Sequence, residues 1–205
     1  MAESNTNSRL EAFSDGVFAI AITLLIIDIK VPAEEAIGTT GDLWRSLAHL
    51  LPSVLAFLLS FVIIFITWVN HHATLKLVDK SSVSFIYANG LLLLAIVIIP
   101  FPTALLGEYI FTDHAAPAVV LYSAVNVLQA IAWICLSQAA LKPNPLTRSE
   151  KATLVMRENN RRGYYAVVVY STCTAAAFWF PLTIAFLISL MWIGWLILGI
   201  NIKSE

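Results

Sequence analysis

Six long apolar runs constrain the fold of this chain more than any other feature. Each is close to the ~20 residues that an α-helix needs to cross ~30 Å of hydrocarbon. Only 12% of the 205 residues are charged, whereas a soluble domain carries about 25%. The sequence therefore predicts an all-α polytopic membrane protein in which residues 1–205 form a single six-helix domain. The predicted spans are Phe13–Val31, Leu50–Val69, Val83–Leu106, Ala116–Leu141, Tyr164–Phe180 and Leu182–Ile200.

Particular residues bear on the turn between the last two spans and on the nature of the first. Pro181 separates the last two runs, and a proline cannot donate to the helix ladder, so the chain is expected to reverse there. The first run is too long for a signal peptide, carries Asp15 and Asp28, and lacks a small-residue cleavage site.

The basic residues indicate the orientation of the spans. If the N-terminus is cytoplasmic, ten Lys and Arg side chains lie inside and two, Lys30 and Arg45, lie outside. An even number of spans then places both termini in the cytoplasm. The ten inner residues are Arg9, Lys76, Lys80, Lys142, Arg148, Lys151, Arg157, Arg161, Arg162 and Lys203.

The connection after the fourth span is the longest, from Lys142 to Gly163. Thr147 and Glu150 have the spacing of a capping box, which predicts a short basic helix. Such a helix is expected to be solvated near the lipid headgroups, and recruitment of anionic lipid is the alternative.

The first span carries an ionisable side chain, Asp15, close to its start. Ser8 and Glu11 fit a capping box and place the beginning of the helix near Arg9. A charge within a span is costly and indicates a function and a partner. The predicted hydrogen-bond donors to Asp15 lie at the end of the second span and are Trp68, Asn70 and His71.

An apolar stripe follows Asp15 along the same helix. At 100° per residue Ile20, Leu24 and Ile27 share one face, which Phe13 and Gly16 extend and Thr23 flanks. Asp15 points about 140° away from Ile20. The stripe alone does not decide the function, because most such stripes meet lipid or another helix.

Other kinds of site have weaker support. Adjacent helical residues diverge by 100°, which disfavours a metal site at His71 and His72, and Cys135 and Cys173 are expected to be small core thiols. The spans contain no nucleophile–base pair and no metal-binding cluster, so we expect no enzyme activity. Nothing in the sequence predicts a cofactor, and we expect no nucleic-acid partner. A secondary transporter and a non-conducting structural membrane protein remain as alternatives.

The first span also opens with a motif of fixed spacing. It reads Arg9-x-x-x-Phe13-Ser14-Asp15 and continues as Gly16-Val-Phe-Ala-Ile-Ala-Ile-Thr23. This motif resembles the signature of the endosomal and lysosomal potassium channel family, of the transmembrane protein 175 type, whose bacterial members are single six-helix repeats. The segment from Trp68 through Asn70 to His72 is also similar to that family.

The resemblance implies a homotetramer in which the first helix lines the pore. It implies a constriction at Ile20, further apolar layers at Leu24 and Ile27, and a contribution of Thr23 to selectivity. It also implies a network that holds the motif in place, formed by Arg9, Phe13, Ser14, Asp15, Trp68, Asn70 and His71.

The expected function is a potassium-permeable cation channel in the bacterial plasma membrane, surrounded by lipid. Its apolar rings would pass K⁺ and other monovalent cations partly dehydrated. The chain has no Thr-Val-Gly-Tyr-Gly filter, so we expect a moderate preference for potassium. Asp28 is expected either to attract cations at the outer mouth or to be a solvated helix-end residue beside Lys30.

Overall fold

The computed structural model describes residues 7–201, with side chains up to residue 195. Residues 1–6 and 202–205, which include Lys203, lie outside the described range. Short 3₁₀ turns cover Leu25–Asp28 and Glu34–Ala36. The described range contains eight α-helices: α1 (Ser8–Leu24), α2 (Thr40–His49), α3 (Leu51–Leu77), α4 (Val83–Ile98), α5 (Pro100–Tyr109), α6 (Ala115–Leu141), α7 (Glu150–Ala176) and α8 (Pro181–Asn201).

Four helical segments are long and apolar enough to cross a membrane. They are Ser8–Asp28, Leu51–Leu77, Val83–Tyr109 and Ala115–Leu141. The first 15 residues of α8, Pro181–Trp195, form a shorter apolar stretch, and the first half of α7 is basic. The prediction of an all-helical membrane protein is thus confirmed, and the count of six spans stays a prediction.

The start of α1 differs from its predicted form. The helix begins at Ser8 after Asn7, and no side chain caps its first turn, so the predicted capping box of Ser8 and Glu11 is wrong. Asn7 instead donates its amide N–H to the carbonyl of Val78 at 3.1 Å. At the other end the helix tightens into a 3₁₀ turn at Leu25–Asp28, three residues before the predicted end.

The third predicted span is two helices. Pro100 and Pro102 cannot donate to the helix ladder, and α4 passes into α5 at Ile99. A further helix, α2, was not predicted. Its N-cap, Thr39, forms a reciprocal capping box with Asp42, whose carboxylate accepts from the Thr39 amide at 2.9 Å.

The predicted short basic helix after α6 is the first half of α7. The helix starts at Glu150 and runs without interruption to Ala176, so the predicted separation of this short helix from the fifth span at Gly163 is wrong. Ser149 caps it by accepting from the Ala152 amide at 3.1 Å, which replaces the predicted capping box of Thr147 and Glu150. Residues 177–180 form the turn before Pro181, the first residue of α8.

The bundle core holds polar as well as apolar side chains. α1 packs against α3 and α4, and α6 contacts α4, α5, α7 and α8. The Ser60 hydroxyl lies 2.6 Å from that of Thr103 and 2.9 Å from that of Tyr122. Gln129 donates to Thr67 at 2.6 Å. Because these groups have few polar alternatives inside a membrane protein, the bonds fix how α3, α5 and α6 meet.

Candidate functional site

The helix α1 has two faces with opposite environments. Phe18, Ala21 and Leu25 are at most 1% exposed and pack in the bundle core. The predicted stripe lies on the other side of the helix, where Ile20 is 60%, Leu24 39% and Ile27 68% exposed. The described part of the chain therefore leaves this apolar stripe uncovered over almost the whole helix.

Three neighbours of the stripe lie on the same open side. Phe13, Gly16 and Thr23 are exposed. The Thr23 hydroxyl donates to the backbone carbonyls of Ile20 at 2.9 Å and Ala19 at 3.1 Å. With its proton engaged by the backbone, this hydroxyl keeps an oxygen lone pair available on the open face.

Asp15 is held on the protein side of α1. The indole N–H of Trp68 on α3 donates to its Oδ1 at 2.8 Å. The Trp68 ring lies between those of Phe65 and His72, with centroids 5.8 and 6.0 Å away. The charged acceptor makes this a strong hydrogen bond, and it ties the motif to α3.

Ser14 begins a second connection, to α4. Its hydroxyl donates to the carbonyl of Leu10 at 2.8 Å and accepts from the side-chain amide of Asn89 at 3.0 Å. Nε2 of His71 donates to the Asn89 oxygen at 2.6 Å. All three polar side chains are at most 1% exposed, so this series of hydrogen bonds joins α1, α4 and α3 within the core.

The two adjacent histidines turn to different partners. His71 contacts Asn89 and packs its ring 5.4 Å from that of Phe18. Nδ1 of His72 lies 3.0 Å from a carboxylate oxygen of Glu11 on α1, which forms an ion pair when the ring is protonated. Their divergence follows the 100° step of the helix. Among the described residues, no three His, Cys, Asp or Glu side chains are grouped to hold a metal ion.

The remaining motif residues lie apart from this network. Arg9 and Asn70 are exposed on the surface of the chain, as is Phe13 on the open face of α1. Asp28 is exposed in the 3₁₀ turn that follows the same helix. The structure thus brings together Ser14, Asp15, Trp68 and His71, and it adds Asn89 and Glu11.

The N-terminal end of α1 meets a hub around Val78, which is fully buried. The Val78 carbonyl accepts from the amide of Asn7 and from Nε of Arg148, both at 3.1 Å. Ser81 donates to the oxygen of Asn7, and the Arg148 amide donates to the carbonyl of Leu77 at 2.9 Å. This hub therefore links the start of α1 to the α3–α4 turn and the α6–α7 connection.

The arrangement combines a firmly held face and an open face on a single helix. Hydrogen bonds and core packing fix the orientation of α1 relative to α3 and α4, because rotating it would break several buried contacts at once. The opposite apolar face is available to lipid, to another protein surface or to other copies of α1.

The sequence is similar to a known family and to individual relatives. The family model described as endosomal/lysosomal potassium channel TMEM175 matches residues 9–100. A potassium channel of Chryseobacterium sp. is 34% identical over 195 residues, covering 92% of this chain and 93% of that protein.

Two further matches come from Chamaesiphon minutus. A potassium channel from this organism is 49% identical over 131 residues, and the match spans 64% of each chain. The crystal structure of a lysosomal potassium-selective channel TMEM175 homologue from the same organism has a TM-score of 0.77 and 36% identity. That superposition covers 91% of this chain and 96% of the other.

Proposed function

This chain belongs to the endosomal/lysosomal potassium channel TMEM175 family, and from this premise we propose that it is a potassium-permeable cation channel. The family is one of ion channels and not of enzymes. The proposed channel is a homotetramer in the bacterial plasma membrane, with the pore on the axis that relates the four copies.

The observation that carries this proposal is the uncovered stripe of α1. Ile20, Leu24 and Ile27 stay exposed although the opposite face of their helix is fully buried. Cyclic symmetry brings the same surface of each copy to one axis. Four such stripes around an axis form stacked apolar rings, while Asp15 and its partners remain behind the pore wall.

The mechanism follows from the chemistry of those rings. Branched apolar side chains make a narrow and poorly wetted constriction, which an ion must cross partly dehydrated. Potassium gives up water more readily than sodium, and this favours potassium moderately. In the proposed channel Ile20 forms the narrowest ring and Thr23 places an oxygen beside it. Asp28, exposed at the outer end, attracts cations towards the mouth.

The proposed topology has six spans and two cytoplasmic termini. The four apolar segments of spanning length supply four of them, the second half of α7 the fifth and α8 the sixth. The first half of α7 then projects into the inner interface with its basic residues, in agreement with the positive-inside rule. The Val78 hub lies on the same cytoplasmic side.

Recording from purified protein in planar bilayers tests the proposed function. We expect unitary current steps and, with potassium on one side and sodium on the other, a reversal potential that favours potassium. Unitary steps distinguish a channel from a secondary transporter, whose turnover is too slow to resolve as single events. Transport without steps would establish a transporter, and the absence of any flux would contradict the proposal.

A further inference from the structure

A single exposed stripe runs along α7, from its basic first half into its apolar second half. Arg157, Arg161, Tyr165 and Val168 fall within an arc of about 80°. Tyr165 is 65% and Val168 66% exposed, and the Arg161 side chain is 66% exposed. We call these four residues the α7 stripe.

The opposite side of α7 is fully used in packing. Ala152, Met156, Gly163 and Tyr170 are buried and lie about 140–180° from Arg161. A Cβ at Gly163 would come within 2.7 Å of Ile134 on α6, so the two helices are in close contact there. The α7 stripe therefore faces away from the rest of its own chain.

The order of side chains along the stripe matches the layers of an inner membrane leaflet. Val168 is apolar, Tyr165 has the amphipathic character of interfacial aromatics, and Arg161 and Arg157 follow on the cytoplasmic side. One turn separates the two arginines, about 6 Å along the helix axis, which is close to the ~6 Å depth of a headgroup layer.

The charge around the stripe is positive and only partly neutralised. Glu158 contacts Arg161 at 2.8 Å and Arg162 at 3.0 Å. Hydrogen bonds from Arg161 and then Arg162 lower the pKa of Glu158, so this carboxylate stays ionised and orients both guanidinium groups. Among the described side chains, no carboxylate lies within ion-pair distance of Arg157. Arg161 and Arg162 together with Arg157 and Glu158 therefore keep a net charge of two positive units.

We propose that Arg157 and Arg161 on the α7 stripe bind the headgroup of an anionic phospholipid of the inner leaflet, while Tyr165 and Val168 contact its glycerol and acyl chain. Guanidinium groups bind phosphate oxygens in a bidentate manner, which matches this chemistry. An acidic protein surface fits less well, because the stripe passes from the arginines through Tyr165 to the exposed apolar Val168. The inference rests on the proposed six-span topology and does not require ion conduction.

Native mass spectrometry of the purified oligomer tests the proposal without recording a current. Phosphatidylglycerol and phosphatidylcholine with identical acyl chains are added in separate titrations, and soluble glycerol phosphate in a third. We expect preferential binding of phosphatidylglycerol. Replacing Arg157 and Arg161 together by Gln should weaken it by about 25-fold, roughly fivefold for each arginine near an anionic surface, and leave phosphatidylcholine binding unchanged.

A matched control removes two exposed positive charges elsewhere on the cytoplasmic side, through Lys80→Gln and Lys142→Gln. An equal loss in this control would show a diffuse field rather than a site, and unchanged binding in the arginine variant would also overturn the proposal. A change in oligomer mass in the arginine variant, with lipid binding unchanged, would also overturn it and would mean that the α7 stripe contacts a second copy of the chain. Equal affinity for glycerol phosphate would show a site for free phosphate.

If the Gln variant does not purify, Arg157→Lys with Arg161→Lys replaces it, and a few-fold loss is expected because charge remains without bidentate geometry.

Discussion

At the scale of single residues, the hydrogen bond from Trp68 to Asp15 stabilises a carboxylate in apolar surroundings. A carboxylate in a membrane helix is expensive unless a donor meets it. The indole supplies that donor at 2.8 Å from α3, and Asp15 is half-buried in the chain. The pair therefore acts as an anchor for the orientation of α1.

Trp68→Phe removes the donor and keeps an aromatic ring. We expect the free energy of unfolding to fall by about 1.5–3 kcal/mol, the range for a hydrogen bond to a charged group. Thermal unfolding in detergent measures the change, and Trp179→Phe is the matched control because that side chain is 74% exposed. The potassium-to-sodium reversal potential of Trp68→Phe should not move. A shifted reversal potential with normal stability would place Asp15 in the pore.

The sequence predicted part of this network and missed the rest for a physical reason. Trp68 is one of three donors that the sequence suggested for Asp15, since both residues lie near the same end of neighbouring spans. Asn89 gave no such signal, because an amide near the start of a span is common at an interface. Its contacts with Ser14 and His71 depend on how α4 is rotated against α1 and α3, which periodicity does not determine.

At the scale of helices, one glycine shows where close packing matters. A Cβ at Gly107 on α5 would lie 2.7 Å from the Cα of Ser53 on α3, a backbone atom that cannot move alone. We expect Gly107→Ala to destabilise the protein by about 1–3 kcal/mol, the usual cost of overpacking. Gly90→Ala on α4 is the control, because its Cβ meets nothing within 4 Å. Equal unfolding temperatures for the two variants would mean that α3 and α5 separate easily.

The Val78 hub makes a second prediction about helices. Asn7→Ala removes an amide that donates to the Val78 carbonyl and accepts from Ser81, and each hydrogen bond contributes about 1 kcal/mol. Hydrogen exchange in the first turn of α1 should therefore become up to about 30-fold faster. Arg9→Ala, at an exposed position two residues later, should change exchange little. Equal rates in the two variants would mean that the hub does not hold α1.

Apolar run length predicted the helices well, and local signals predicted their ends poorly. Both expected capping boxes failed because a neighbouring residue, Asn7 or Ser149, occupied the N-cap. The continuity of α7 was missed because its basic half was predicted as a separate short helix, whereas close packing on α6 at Gly163 carries the helix on without a break. The helix α2 was missed because it lies in the polar connection between two apolar runs, where hydropathy gives no signal for a helix.

At the scale of the whole molecule, the open stripe of α1 predicts assembly. A uniform apolar face that no other part of the described chain covers is expected to meet its own copies around an axis. Native mass measurement in detergent should give a protein mass of four times 22.5 kDa. A purified monomer that still conducts would contradict this arrangement.

The central claim, that Ile20 narrows a pore lined by α1, is tested most directly by recording two isoleucine variants in the same bilayer system. Ile20→Asn places a polar group in the proposed constriction, so water enters at lower cost. We predict a larger unitary potassium current and a reversal potential closer to zero in opposed potassium and sodium. Ile22→Asn, about 200° around the helix and packed against the core, should change neither quantity. Unchanged conduction in Ile20→Asn, or the same gain in Ile22→Asn, would contradict the account.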